Sequence, residues 1–112
     1  MNILFANQKM AKLCNSLSKS QKKWGDRRGR LVIRRLDEIR DSANMAVLKT
    51  LPGARLHPLL ENRKGQYSVD LEHPYRLLFE IADDPVPQLE GGRVDYSKVS
   101  TVRILEVENT HD

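Results

Sequence analysis

Cysteine occurs once, as Cys14, which excludes an internal disulfide framework and any zinc site built from several thiolates. Aromatic residues are only 5% of the chain, and no apolar run approaches the ~20 residues that a membrane helix needs. The opening stretch 1–5 is also too short for the apolar region of a secretory signal, so the cytoplasm is the default expectation. Three familiar chemical sites are missing as well. There is no glycine-rich phosphate loop, no His/Cys/Asp cluster at metal-ligand spacing and no G-x-S-x-G elbow, so neither a metal nor a cofactor is expected. Charge is what the sequence does have: it makes up 30% of the 112 residues, beside 39% hydrophobic residues. That balance is too apolar for a disordered chain and suits one small domain over residues 1–112.

The net charge of +4 hides a polarised distribution. Residues 1–64 carry 15 Lys/Arg against 5 Asp/Glu, and residues 65–112 carry 4 against 10. Nine of the basic residues lie within 19–40, among them Lys22, Lys23, Arg27, Arg28 and Arg34. Such a cluster suits either a solvated helix face or a polyanionic partner, whose phosphates release counterions when neutralised.

The periodicity also divides the chain, at Gly53. Residues 1–5 alternate as a short strand. Met10, Leu13, Cys14 and Leu17 fall on one helical stripe, which reads Cys14 as a buried small hydrophobe. Residues 18–30 are polar and lack a clean helical seam; Trp24 within them reads as a core cap. Val32, Leu36, Ile39, Ala43 and Ala46 are spaced 4, 3, 4, 3 and predict one helix over 31–50, ended by Pro52 and Gly53. Beyond Gly53 the period becomes two. A short strand at 55–57 is stopped by Pro58, and the runs 67–71 and 75–81 form an antiparallel hairpin around Glu72-His73-Pro74. Residues 82–100 have no sustained periodicity and read as a surface insertion. Residues 101–108 supply a last strand, apolar on both faces and therefore central and covered. The sum is an α+β domain, with an N-terminal strand and a helical hairpin packed on a small antiparallel sheet.

Within the sheet half, where acids dominate, stand His57, Arg63, Lys64, Arg76 and His111. Phosphodiester cleavage without a metal needs such groups. A base takes the proton from a ribose 2′-hydroxyl, an acid protonates the departing 5′ oxygen, and fixed cations meet the charge building on phosphorus. Histidine serves either proton task near neutral pH, and the planar fork of arginine holds two phosphate oxygens. Arg76 shares its parity with Leu78 and Glu80, so it projects from the face that the apolar stripe of Tyr75, Leu77, Phe79 and Ile81 leaves. Each residue also has a structural reading: a strand-end hydrogen bond for His57, a solvated turn for Arg63 and Lys64, a cross-hairpin ion pair with Asp70 or Glu80 for Arg76, and a structural role for His73.

These residues stand in a recognisable order. Leu56-His57-Pro58-Leu59, then Arg63-Lys64-Gly65-Gln66-Tyr67-Ser68-Val69, then Tyr75-Arg76-Leu77-Leu78-Phe79 resemble the core of HigB-type toxins of the RelE/ParE superfamily, the plasmid maintenance system killer proteins. The closing residues 104–111 resemble that family's last strand. The resemblance implies the RelE/ParE-like fold and the toxin of a type II toxin–antitoxin pair, which cleaves mRNA on the ribosome with no metal. It implies catalytic roles for His57, Arg76 and His111, with Arg63 or Lys64 on the phosphate. Lys22, Lys23, Arg27, Arg28 and Arg34 would then lie against ribosomal RNA, and a helix-turn-helix, HigA-like antitoxin would be the partner. Three positions depart from the family pattern: Leu60 stands where lysine is usual, and Asn109-Thr110 stand where Asp-Tyr is common. A ParE-like or non-catalytic member, acting by binding gyrase or its antitoxin, is the alternative.

Overall fold

Alternation builds the sheet as expected. In the computed structural model, which describes residues 1–110, the strands are β1 (Asn2–Phe5), β2 (His57–Pro58), β3 (Gln66–Asp70), β4 (Tyr75–Ile81) and β5 (Thr101–Asn109). They form one five-stranded sheet in the order β1-β5-β4-β3-β2. The hairpin β3–β4 pairs Val69 with Leu77 and Asp70 with Arg76. β4 pairs antiparallel with β5.

The sheet is mixed rather than antiparallel, because β1 runs parallel to β5, with Ile3 opposite Val102 and Phe5 opposite Ile104. All the helices intervene between β1 and the other strands, and that long connection permits a parallel edge. β2 begins at His57 rather than at 55, and Pro58 is its last residue. β2 is an edge strand, so the missing N–H costs no ladder bond. β5 is central, yet apolar residues do not cover both its faces. Its register shifts so that Glu106 opposes Leu78 and Ile104 opposes Phe79, leaving Leu105 as the extra residue of a bulge.

The helices are α1 (Gln8–Cys14), α2 (Leu17–Trp24), α3 (Asp26–Asp41) and α4 (Met45–Lys49). Residues 18–30 are therefore helical apart from Gly25, which turns the chain at φ 95°, and the helical hairpin is α2–α3. The expected helix over 31–50 breaks at Ser42, whose backbone is extended. Asn44 caps a new helix by accepting from the Val47 N–H, and Met45 and Leu48, not Ala43 and Ala46, enter the core.

The core lies between the helices and one sheet face, where Val32, Leu36 and Ile39 of α3 meet Val69, Leu77, Phe79, Val102 and Ile104. Cys14 is buried in it, and burial pushes its thiol up to about 11. Trp24 packs against its rim. Residues 82–100 are partly folded in: Tyr96–Lys98 make a 3-10 turn, Val99 is fully buried, and Asp83 ties the base by accepting from the N–H groups of Ser100 and Thr101. Among the described residues no helix is long and apolar enough to cross a membrane.

α2 and α3 approach backbone to backbone at Gly29. A Cβ there would sit 2.5 Å from the Gln21 nitrogen, with no flexible side chain to give way. In a solvated helix Gly→Ala stabilises by about 1 kcal/mol; Gly29→Ala is expected to destabilise by about 2–3 kcal/mol instead. Thermal unfolding would then come roughly 10 °C earlier, and an unchanged or raised Tm would refute this account of the hairpin.

Candidate active site

The sheet face turned away from the helices carries Asp70 of β3, Arg76 and Glu80 of β4, and Arg103, Glu106 and Glu108 of β5, by the parity that puts Val69, Leu77 and Val107 on the other side. Asp70, Arg76 and Glu108 form one row across three strands. The segment after β2 crosses over this face: Arg63, at the end of the 3-10 turn Glu61–Arg63, reaches Glu108 at 2.7 Å. Under that crossing lies an open cleft of about 450 Å³, lined by His57, Leu60, Arg63, Arg76, Glu108 and Thr110 among others. Backbone strain brackets β2. Arg55 and Glu61 take positive φ, 46° and 58°, a conformation that costs roughly 1 kcal/mol per non-glycine residue.

The charges in the cleft are internally matched. Asp70 holds Arg76 at 3.4 Å on one oxygen and Arg55 at 3.2 Å on the other. Glu108 holds Arg63 and is hydrogen-bonded to Glu106. That hydrogen bond raises the Glu106 carboxyl above its ordinary range, with burial adding to it. Glu108 is lowered by the same bond and by Arg63. Of the two carboxyls Glu106 is thus the one that holds a proton more readily, and Glu108 is the one that faces Arg63. In this state both cleft arginines rest on carboxylates, and an incoming phosphate would compete for their forks.

Of the residues singled out in the sequence, His57, Arg63 and Arg76 meet in this cleft. His57 is exposed on the edge strand. Lys64, one position after Arg63, turns to a different groove. His111 lies outside the described residues; Thr110, which precedes it, lines the cleft. His73 sits exposed in the β3–β4 turn. On the helices Lys22, Lys23, Arg27 and Arg34 are exposed. Arg28 is the exception and a correction. It donates to Glu72 at 2.9 Å, its guanidinium lies 3.4 Å from the centre of the Tyr75 ring, and it bonds the Trp24 carbonyl. It pins α3 to the hairpin turn and is not presented to a ligand.

Of the carboxylates, sequence reasoning offered Asp70 as the partner of Arg76 across the hairpin; it missed Glu106 and Glu108, because what brings them to the site is cross-strand register. Among the described residues no group of three or more His, Cys, Asp or Glu side chains is placed to hold a metal. In the comparisons with known proteins, neither a protein-family model nor a curated protein matches this chain.

Proposed function

We propose that the chain is a RelE/ParE-like toxin of the HigB type, a ribosome-dependent mRNA endoribonuclease paired with a helix-turn-helix antitoxin. The observation that carries this reading is the meeting of an exposed imidazole, His57, with Arg76 and Arg63 in one open cleft. The sequence resemblance gives the three residues an order and a role.

In this mechanism His57 takes the proton from the 2′-hydroxyl, whose oxygen attacks phosphorus. Arg76, aided by Arg63, neutralises the charge that gathers on the non-bridging oxygens. The bond from phosphorus to the 5′ oxygen breaks, and that oxygen takes a proton, the task the resemblance gives to His111. The products are a 2′,3′-cyclic phosphate and a free 5′-hydroxyl. The exposed cations Lys22, Lys23, Arg27 and Arg34 supply the salt-dependent attraction to ribosomal RNA.

Leu60 favours the second reading, a ParE-like member acting by protein contact. It is 75% exposed at the cleft mouth, where an apolar side chain suits a protein surface better than a phosphate. Induction of the wild-type chain in bacteria separates the two. The ribonuclease reading expects growth arrest, with translated mRNA cut to fragments bearing 2′,3′-cyclic phosphate ends. Arrest with intact mRNA would refute it in favour of protein binding.

A further inference from the structure

A second groove of about 710 Å³ lies between α4 and the 82–100 segment, lined by Lys49, Lys64, Arg93 and Tyr96 among others. Three cations converge there, and none of them is in an ion pair among the described residues. The acid in the groove, Asp95, is turned back on its own loop, accepting from the Ser97 N–H at 3.1 Å and the Ser97 hydroxyl at 2.6 Å. Tyr96 is fixed from behind by an edge contact with Tyr67, ring centres 5.9 Å apart. Lys49 stands 5.5 Å from its ring centre. Gly92, at φ 88°, leaves bare backbone on the rim.

An anchored ring beside several cations that no carboxylate among the described residues holds is the chemistry that takes single-stranded nucleic acid, with a base on the ring and phosphates on the cations. The groove is also joined to the cleft by sequence. Arg63 lines the cleft and Lys64, its neighbour, lines the groove, so one turn serves both. We propose that this groove is a second subsite for single-stranded RNA, receiving the strand as it passes from the His57–Arg76 cleft over the Arg63–Lys64 turn. The choice of RNA as occupant rests on the ribonuclease reading; the groove and its chemistry do not. The 82–100 segment is then part of the substrate path.

The test uses the full chain and two fluorescently labelled RNAs, a trinucleotide that fills the cleft alone and a decanucleotide that can reach the groove. The decanucleotide should bind at least about tenfold more tightly. The double variant Lys49→Glu/Arg93→Glu should remove that advantage and flatten the salt dependence of decanucleotide binding by roughly one to one and a half logarithmic units per logarithm of salt. Its trinucleotide affinity and Tm should stay at the wild-type values. A Lys49→Gln/Arg93→Gln variant should show the same pattern at smaller size, which guards against misfolding caused by the charge reversal. Wild-type decanucleotide binding in both variants would overturn the subsite; if Arg76→Ala still slowed cleavage, the cleft reading would survive it. Equal weakening of both RNAs by the double variant would also overturn it, as a long-range charge effect. Selective loss of the decanucleotide, with no trinucleotide binding even in the wild type, would support the groove and count against the cleft.

Discussion

Arg76→Ala is expected to lower mRNA cleavage by about a hundredfold or more, the usual consequence of removing one preorganised donor from a site where negative charge develops. The loss should fall on the chemical step rather than on substrate affinity, because the exposed helix cations carry most of the attraction to RNA. Arg76→Lys should recover only part of the rate, since an ammonium keeps the charge but not the two-pronged fork. Stability should barely move. The Asp70–Arg76 pair is open to solvent, with the two side chains 21% and 30% exposed, and pairs of that kind contribute about 1 kcal/mol or less. The measurement is cleavage of a translated message by purified variants, with thermal unfolding in parallel. An Arg76→Ala protein that cuts at the wild-type rate would remove Arg76 from the mechanism, and one that unfolds early would recast it as a structural residue.

Why Arg76 and its hairpin partner Asp70 were legible and Glu108 was not follows from what alternation and turn length encode. Period two states which face a strand residue takes, and that is enough to turn Arg76 away from the core. A short turn also states what lies opposite, which offers Asp70 to Arg76 across the hairpin; between strands far apart in sequence nothing does, so Glu108, at the end of the row Asp70–Arg76–Glu108, had no signal in composition or spacing. The parallel docking of β1 was hidden for the same reason. A four-residue strand separated from β5 by the rest of the chain carries no mark of its partner. In the helical half the failure was different. The 4, 3, 4, 3 seam runs on through Ser42 without interruption, but the Ser42 hydroxyl donates to the Glu38 carbonyl at 2.7 Å and Asn44 starts a new helix. Local hydrogen bonding by short polar side chains overrode periodicity there.

The basic stretch 19–40 is not one surface, because α3 divides it. Arg28 and Arg35 stand at i−4 and i+3 from Val32, on the stripe that faces the core, whereas Arg27, Arg30 and Arg34 stand off it. That spacing was available in the sequence, but a run of arginines draws attention to charge before position. Two of the nine cations therefore serve the fold, and the surface offered to a polyanion is smaller than the count implies.

Arg35 is where the fold is most exposed to a single substitution. It is 7% exposed and uses its whole fork: Nε donates to the Asp70 carbonyl at 2.7 Å, Nη2 to the Gly53 carbonyl at 2.8 Å, and Nη1 to Glu38 at 3.0 Å. It thus fastens α3 to the turn that ends the helical half and to the last residue of β3. Arg35→Ala removes the donor from two carbonyls and the partner from a carboxylate at once, and is expected to cost about 3–5 kcal/mol. For a domain whose total stability is of order 5–15 kcal/mol, this lowers Tm by roughly 15 °C or more. Arg35→Lys should recover less than half, because one ammonium cannot meet three acceptors held in a planar arrangement. The consequence should also reach the cleft, since the carbonyl that Arg35 holds belongs to Asp70, whose carboxylate seats Arg76. At a temperature where the variant is still folded, Arg35→Lys should cleave more slowly than wild type while binding RNA equally well. Chemical denaturation of Arg35→Ala decides the first point: a loss below about 0.5 kcal/mol, the scale of an ordinary surface change, would mean that this guanidinium does not hold α3 to the turn and to β3.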